Sequence, residues 1–501
     1  MTLTELSTAT VGSDMQLGAF SLAGEGEGNP FGDLFLHDGV PHRGFRGTDA
    51  AQVHSLFESG LIEQLVDTGL LTPSEPAHDV PGTYDLVVRQ PALTPYCPTN
   101  EIPPSMRRDA GLLLVDLSRR LDGRDLILRE VDFSGIIVDL LGRVRFHNLA
   151  AILPKGTRKF PYAEFHAHFV GPLRLMHERP ELAGLIHRAG TVELDVDTSI
   201  RHSLLRGALR LVSRLGKPGQ RIANSYERFA VRSPFGALLR HGHYLRFLRE
   251  LLRERAARRT GADGAVADWT PIVLDDLARN LSKRTFAHVS QRWTDYYGHL
   301  DLAAVISAGP ERRKYFEGPR ERALLSVLED IGEGTLLDIG ANNGFFSMLG
   351  AHAGFATTAI DYDLGAIDGL YRLLNSADAG LPIRPFVVDF VNLSPRDTAR
   401  FEADAVFALG FLHHMRLVEL LPWSVISERL ANLTRKVLVA EFKPGTAASH
   451  ANREIARAAT DDYTLDNLVA ALREWFAEVE VLGDHSAVGF ESARTMLVCR
   501  K

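Results

Sequence analysis

Apolar residues in the C-terminal part of the chain form short runs that are separated by amphipathic stretches. Two of these runs, Thr335-Leu336-Leu337 and Ala356 to Ile360, are typical of parallel strands covered on both faces. Further runs predict strands at residues 383–388, 405–410, 437–442 and 477–482, and a seventh, antiparallel edge strand at 495–499. Helical spacing is found over residues 312–331, from 345 onward, over 367–375 and over 463–476. This alternation predicts an α/β fold for residues 291–501, with a seven-stranded, doubly wound, Rossmann-like sheet.

The N-terminal part of the chain mixes both periodicities. Helical spacing over residues 51–66 and 112–121 alternates with strand-like runs at 84–88, 127–131 and 144–146. Phe165, Phe169 and Leu173 recur at helical spacing, which favours a stripe of core residues. We therefore predict a mixed α+β domain over residues 31–200. A Gly-, Ser- and Thr-rich mobile arm over residues 1–30 precedes it.

The segment ILREVDFSGIIVDLLGRVRFHNLAAILP faintly resembles the strand-loop-strand region of kinase-like folds. Its loop carries the acids Asp132 and Asp139, but it has neither H-R-D-x-x-x-x-N nor D-F-G. We interpret it as a degenerate relic, or as unrelated, rather than as a site of phosphotransfer. A role of this domain in presenting the substrate is an open hypothesis.

Residues 201–259 are strongly basic, with fourteen arginines and one lysine against three glutamates. Leucines at helical spacing predict two amphipathic helices with basic outer faces, within a basic helical segment and linker over residues 201–290. One interpretation is a platform for phosphate, an anionic partner or a membrane surface. The favoured interpretation is a solvated helical insertion that pairs with acids elsewhere in the chain.

Composition places the chain among ordinary globular proteins. Its 501 residues predict two or three domains, and 45% hydrophobic with 24% charged residues is a normal balance. A net charge of -7 and a pI near 6.3 give no global reason to expect nucleic acid. We find no apolar run long enough for a membrane span, and the two cysteines, Cys97 and Cys499, favour a cytoplasmic protein. A homodimer is an open prediction.

The turn after the first predicted strand decides between nucleotide cofactors. A dinucleotide fingerprint needs G-x-G-x-x-G, because the pyrophosphate must approach the backbone at a helix N-terminus. Here Asn342 replaces the middle glycine between Gly340 and Gly344, and its side chain would crowd a diphosphate. Asp338 would repel phosphate and attract a cation, while Asp361 can hold ribose hydroxyls. S-adenosylmethionine, which has an adenosine end and a positive amino-acid end, fits these demands.

This pattern resembles motifs I and II of the class I, Rossmann-like methyltransferases. The resemblance implies that Asp389 receives the adenine amino group and that Phe390 covers the ring. Aromatic residues before the domain, Tyr297 among them, commonly close the cofactor cleft. The cofactor-binding residues implied in this way are Asp338, Gly340, Asn342, Asn343, Gly344, Phe346, Asp361, Tyr362, Asp389, Phe390, Leu409, Gly410 and Tyr297.

The segment LGFLHHM resembles the stretch after strand four of this family, where the methyl group meets its acceptor. His413 and His414 are therefore the candidate general bases, because an imidazole titrates near the pH of the cell. Glu441, which ends the fifth predicted strand, would polarise the active histidine or bind the acceptor. Neither the acid triplet of Mg-dependent catechol enzymes nor an N-P-P-Y motif occurs, so we predict a metal-free reaction.

The predicted acceptor is a small molecule of natural-product or sugar type, with oxygen slightly favoured over nitrogen or carbon as the methylated atom. RWTDYYGHL, EFKP and DDYTLDN extend the resemblance to a bacterial, nodulation-type group of long methyltransferases with a degenerate N-terminal half. Two alternatives stay open. One is an RNA methyltransferase that uses the arginines of residues 201–259 as its phosphate track. The other is a non-catalytic protein that binds a partner.

Overall fold

The computed structural model describes most of both predicted halves. The described residues are 32–78, 80, 84–92, 98–156, 158–191, 270–286, 289, 300–376, 380–444, 461–484 and 494–501. The predicted arm, the arginine-rich helices and Tyr297 lie outside them. No helix among these residues is both long and apolar enough to cross a membrane.

The N-terminal unit, residues 32–191 with helix 270–282, combines small antiparallel sheets with helices. Its elements are β1 (Asp33–His37), β2 (Val40–Phe45), α1 (Gly47–Glu58), α2 (Leu61–Asp67), β3 (Glu75–Ala77), β4 (Leu86–Arg89), α3 (Pro104–Asp122), β5 (Leu126–Leu128), β6 (Ile136–Val138), β7 (Val144–Phe146), β8 (Ile152–Pro154), α4 (Tyr162–Phe165), a π-helical turn (His166–Val170), α5 (Gly171–Glu178), α6 (Ala183–Ala189) and α7 (Thr270–Ser282). Strands β1–β4 form one sheet in the order β1-β2-β4-β3. The α+β character is as predicted.

Local chemistry shifts several element boundaries. The single helix predicted over residues 51–66 is wrong, because Gly60 takes a left-handed conformation (φ 69°) and separates α1 from α2. Helix α3 starts eight residues earlier than predicted, with Pro104 in its first turn, where a missing N–H costs nothing. Helix α7 belongs to the core of this unit, since a Cβ at Gly111 in α3 would lie 2.9 Å from Leu281.

The kinase-like segment forms two antiparallel strand pairs, β5 with β8 and β6 with β7. Both of its loop acids bond to their own neighbourhood. Asp132 accepts from the backbone of Ser134, while Asp139 accepts from the backbone of Leu141 and from the Arg145 guanidinium at 3.0 Å. These contacts support a structural role for the two carboxylates.

The C-terminal domain, residues 300–501, is built on one large sheet. Its elements are α8 (Leu302–Ser307), a 3₁₀ segment (Gly309–Phe316), α9 (Pro319–Ile331), β9 (Thr335–Ile339), α10 (Phe345–His352), β10 (Ala356–Asp361), α11 (Leu364–Ser376), β11 (Ile383–Val387), a 3₁₀ turn (Phe390–Asn392), α12 (Pro395–Phe401), β12 (Ala403–Ala408), α13 (Leu412–Leu417), α14 (Trp423–Leu433), β13 (Thr434–Phe442), α15 (Leu465–Arg473), β14 (Glu478–Asp484) and β15 (Thr495–Arg500). The strand order is β11-β10-β9-β12-β13-β15-β14. Strands β9 to β13 pair in parallel, and β15 is antiparallel to both of its neighbours. The predicted seven-stranded, doubly wound sheet is confirmed.

Two details of that prediction are wrong. The last strand, β15, is not at the edge, because it hydrogen-bonds to β13 on one side and to β14 on the other. The helix predicted from residue 312 starts only at Pro319, because the preceding residues wind into the tighter 3₁₀ segment.

Alternating residues of the parallel strands face two hydrophobic cores. On β9, Leu337 packs into a cluster that continues into the N-terminal unit, whereas Leu336 packs into the cluster beneath α9 and α10. Both faces are therefore covered, as a parallel sheet requires.

The N-terminal unit packs against helix α11 of the C-terminal domain. The backbone N–H and the hydroxyl of Ser105, at the start of α3, donate to Asp368 at 2.6 and 2.9 Å. Tyr371 donates to Asp109 at 3.0 Å, and Arg400 forms a buried, two-pronged ion pair with Glu101. The first unit thus braces the helix that follows β10.

Candidate active site

A cavity opens at the carboxyl ends of the parallel strands, where open α/β sheets bind their ligands. All of its described lining comes from the C-terminal domain. The lining residues are Arg320, Ile339, Gly340, Asn342, Ile360, Asp361, Tyr362, Val388, Asp389, Phe390, Leu409, Gly410, Phe411, His413, His414, Met415, Lys443 and Arg494.

The glycine turn after β9 forms the floor of this cavity with three left-handed residues. Gly340 (φ 73°), Asn342 (φ 51°) and Gly344 (φ 80°) let the chain reverse tightly into α10. A Cβ at Gly344 would lie 2.6 Å from Leu370, so only glycine fits between the turn and α11. The glycines therefore bring the helix close to the sheet and leave the backbone open at Gly340.

Asp361, which ends β10, ties the turn to the second strand. Its carboxylate accepts the backbone N–H of Asn342 at 2.9 Å and that of Asp363 at 2.8 Å. Burial raises the pKa of Asp361 to about 6, against the lowering effect of these bonds. The prediction placed this carboxylate at the ribose position, and the structure places it on the cavity wall.

Asp338 lies beneath the turn and does not line the cavity. The hydroxyl of Ser347 in α10 donates to its carboxylate at 2.6 Å, which pins the helix to the first strand. Burial raises the pKa of Asp338 to about 7, and the charge of Asp361 adds to that rise. Any influence of Asp338 on a ligand is therefore exerted through α10 and through its charge.

Asp389 and Phe390 follow β11 at one end of the cavity. The Asp389 carboxylate accepts from the backbone of Val391 at 3.0 Å and from the Asn392 amide at 2.7 Å, which caps the short turn. Phe390 is buried and meets the ring of Phe411 edge-on at 5.0 Å. An exposed acid thus stands beside a buried ring, and the adenine subsite at these two residues stays a prediction.

His413 and His414 begin α13 and both line the middle of the cavity, below the end of β12. Their ring centroids are 4.0 Å apart, with the planes tilted by 41°. His413 is buried and His414 is half-buried. The predicted pair thus faces the same space as the glycine turn.

Glu441 is the penultimate residue of β13 and lies between two arginines from distant parts of the chain. Its carboxylate accepts from Arg320 at 2.7 Å and from Arg494 at 3.0 Å, and all three side chains are buried. Glu441 thus contacts guanidinium groups rather than an imidazole. Its predicted partner, the active histidine, is not among them.

Three cations of the lining were missed by the sequence analysis: Arg320, Lys443 and Arg494. Arg320 lies in the first turn of α9, where a positive charge opposes the helix dipole, and this unfavourable position is a signal that could have identified it. The guanidinium of Arg320 also stacks over Phe346 at 4.3 Å.

Three predicted cofactor residues, Asn343, Gly344 and Phe346, support the turn from outside the lining.

The described residues contain no group of three or more His, Cys, Asp or Glu side chains that could hold a metal ion. The charged and imidazole groups of the cavity are carboxylates at the β10 and β11 ends, imidazoles after β12, and cations on α9 and at the β13 and β15 ends.

The strand order, the glycine turn and the acid after β10 define the class I, Rossmann-like methyltransferase fold. No family model matches the chain. Over 122 residues the chain is 30% identical to the nodulation protein NoeA of Rhizobium meliloti (strain 1021). The aligned stretch covers 22% of this chain and 25% of that protein. The chain thus spans about a quarter of the length of this curated relative, in agreement with the predicted nodulation-type resemblance.

Solved structures similar to part of the chain include the following three. EvdMO1 is 20% identical with a TM-score of 0.27, over 37% of this chain and 41% of its own. The bifunctional kinase-methyltransferase WbdD is 18% identical with a TM-score of 0.28, over 36% and 39%. Magnesium protoporphyrin IX methyltransferase (ChlM) from Synechocystis PCC 6803, with bound SAH, is 15% identical with a TM-score of 0.27, over 36% and 80%. The fold class rests on the sheet itself rather than on these low scores.

Proposed function

We propose that the chain is an S-adenosylmethionine-dependent methyltransferase that acts on a small-molecule acceptor, with a hydroxyl oxygen favoured over nitrogen or carbon. One observation carries the proposal. A single cavity joins the open glycine turn and Asp361 to the paired imidazoles of His413 and His414.

The residues around the turn suit S-adenosylmethionine better than a dinucleotide. Asp361 offers a carboxylate for ribose hydroxyls, and Asp389 with Phe390 offers an acid and a ring face for adenine. Asn342 occupies the position where a diphosphate would need glycine. Arg320, held above the turn by Phe346, is the cation suited to the carboxylate of the methionine end.

The sulfonium methyl group, when the cofactor is bound, supplies the electrophile for an in-line displacement. The chain contributes alignment, a water-poor cavity and a base. Either His413 or His414 accepts the proton of the acceptor hydroxyl, while the other packs beside it. In this scheme Glu441 is a positioning residue that fixes the two arginines.

Cofactor binding is the first test. Calorimetry with S-adenosylhomocysteine should show micromolar binding to the full chain, and Asp361→Ala should abolish it, because ribose loses its acceptor. Asp330→Asn, a change of an exposed acid on α9, should leave the affinity unchanged. Wild-type protein that takes up no S-adenosylhomocysteine would instead favour the non-catalytic alternative.

The base is tested separately. His413→Ala or His414→Ala should slow transfer from labelled S-adenosylmethionine, in a screen of hydroxyl and amine acceptors, by roughly 10²–10⁴-fold. Both variants should retain the wild-type affinity for S-adenosylhomocysteine. If both turn over at the wild-type rate, neither histidine is the base.

RNA as the acceptor stays a hypothesis, since the arginine-rich segment that motivates it lies outside the described residues. The cytoplasmic location, the homodimer and a substrate-presenting role of the N-terminal unit also stay predictions.

A further inference from the structure

We infer that the acceptor carries an anionic group, a carboxylate or a phosphate, which Lys443 and Arg494 bind at the β13–β15 end of the cavity. The inference rests on the proposed function, because it names the substrate class for the same site. It concerns how the acceptor is held, not which of its atoms receives the methyl group.

The two cations are neighbours because of strand register. Phe442 on β13 pairs with Thr495 on β15, so the next residue of β13, Lys443, lies beside the preceding residue of β15, Arg494. Both side chains line the cavity. Because β15 pairs antiparallel with β13, two positive charges lie side by side at one end of the cavity.

Charge along the cavity is sharply divided. The lining acids, Asp361 and Asp389, lie at the ends of β10 and β11, where the sugar and base of the cofactor are proposed to bind. The lining cations lie at the other end, on α9, β13 and β15. This division matches a hydroxylated, neutral adenosine end of the cofactor beside the acids and an anionic acceptor beside the cations.

At the end of the cavity that carries Arg320, Lys443 and Arg494, the positive charges outnumber the negative charge of Glu441. Glu441 is shared between Arg320 and Arg494, and Lys443 stands next to them. These four groups carry a formal excess of two positive charges. The amino-acid end of the cofactor carries an ammonium group as well as the carboxylate suited to Arg320, so it adds no net negative charge. An anion on the acceptor would offset charge at Lys443 and Arg494.

The proposed binding place of the acceptor's anionic group differs from that of the cofactor's carboxylate. Arg320 stands over Phe346, beside the glycine turn. Arg494 instead stands against Gly410, where a Cβ would lie 3.0 Å from its Nη1. Gly410 begins the loop that leads to His413, so an anion on Arg494 is held beside the proposed base.

The state of Lys443 agrees with this arrangement. Burial lowers its pKa first, the neighbouring charge of Arg494 lowers it further, and Glu441 raises it. A bound anion would offset the effect of Arg494, since it adds opposite charge where two cations adjoin.

Small probes can test this without knowledge of the acceptor. The full chain, saturated with S-adenosylhomocysteine so that Arg320 is engaged, is titrated with inorganic phosphate and with acetate at low ionic strength, and binding is followed by line broadening in ³¹P and ¹³C spectra. Acetamide, the neutral isostere of acetate, is the control probe. We expect saturable binding of both anions and none of acetamide.

Variants assign the site. Lys443→Gln should weaken phosphate binding by roughly tenfold, the loss of about 1.4 kcal/mol that one charged contact contributes. Arg494→Gln should weaken it at least as much. Lys314→Gln, which removes an exposed cation elsewhere in the domain, should have no effect. Because Arg494 is buried and can affect folding, the half-buried Lys443 decides the outcome.

The inference is overturned if neither anion binds, if acetamide binds as well as acetate, or if Lys443→Gln binds phosphate like the wild type. These results with S-adenosylhomocysteine bound would leave the proposed function intact. Failure of S-adenosylhomocysteine to bind would remove the proposed function, and the same titration of the unloaded chain would still decide whether Lys443 holds an anion.

Discussion

The N-terminal unit and the C-terminal domain differ in what their buried charged groups contact. Arg43 and Arg107 are fully buried in the first, together with His147 and His187, whose pKa values burial lowers to about 3. In the second, the buried carboxylates Asp338, Asp361 and Glu441 stand beside buried arginines such as Arg320 and Arg494, and burial raises the pKa of Asp338 to about 7.

The partners of these groups differ as well. Arg107 donates to the backbone carbonyls of Gly190 and Thr99 at 2.8 and 2.9 Å, and Arg43 donates to the side chain of Gln90 at 3.1 Å. Neutral partners of this kind fasten loops and strands together. In the C-terminal domain Asp361 lines the cavity and Glu441 pairs with two of the cations of the lining, where charge can be offset by a ligand. Buried charge therefore stabilises the fold in the N-terminal unit, whereas in the C-terminal domain it indicates a binding site.

The largest expected effect comes from the most strongly paired acid. Glu441→Ala leaves the guanidinium groups of Arg320 and Arg494 facing each other without their shared carboxylate. We expect the free energy of unfolding to fall by about 3–5 kcal/mol. Urea denaturation measures it, with Glu480→Ala on the exposed edge strand as the control.

A loss below about 1 kcal/mol would contradict this reading, because removal of one partner from a buried ion pair is costly. The buried charge of the C-terminal domain would then be less tightly coupled than the distances indicate.

The next prediction concerns acid and the N-terminal unit. The Nδ1 atom of His147 accepts from the Arg43 guanidinium at 3.1 Å, and its Nε2–H donates to the Ser134 carbonyl at 3.0 Å. Burial, then the charge of Arg43, lowers its pKa from 6.5 to about 3. The unfolded state therefore binds a proton that the folded state does not, and stability is lost as pH falls below 6.5. At pH 4.5 the loss should be about 2–3 kcal/mol.

Hydrogen exchange of peptides from residues 126–154, corrected for its intrinsic pH dependence, would measure that loss locally. His147→Gln should flatten the slope between pH 6.5 and 4.5, whereas the exposed His54→Gln should not. An unchanged slope in His147→Gln would assign the acid sensitivity to other groups.

Sequence patterns predicted the C-terminal domain well because its signals are local. The strands from Thr335 to Phe442 are apolar runs, and the turn is marked by glycines whose left-handed conformations the structure confirms. The position of β15 was not predictable in this way, because strand adjacency depends on hydrogen bonds between distant segments.

The same limit explains what was missed at the site. Glu441 was identified as a strand-end acid, yet its partners Arg320 and Arg494 are 121 and 53 residues away in sequence. Single cations at the ends of elements carry no periodic signal. The break at Gly60, by contrast, could have been predicted from the sequence, since Ser-Gly inside a helical pattern marks a turn.

The smallest expected effect tests whether the buried acids of the C-terminal domain serve binding at a cost to stability. The folded-state pKa of Asp338, about 7, lies above the unfolded value of 3.8. The folded state therefore holds the proton more tightly, and stability is lost as pH rises from 4 through 7. Asp338→Asn keeps an acceptor for Ser347 without the charge, so it should raise the free energy of unfolding at pH 8 by about 1–2 kcal/mol and change it little at pH 4.

Urea midpoints at the two pH values measure this difference, with the exposed Asp330→Asn as the control. The same variant should bind S-adenosylhomocysteine more weakly, because α10 and the glycine turn lose the negative charge beneath them. Gain of stability with loss of affinity would show that this half buries a carboxylate for its ligand. Gain of stability with unchanged affinity would instead place Asp338 with the structural charges, as in the N-terminal unit, and would leave Asp361 as the acid on which the cofactor end depends.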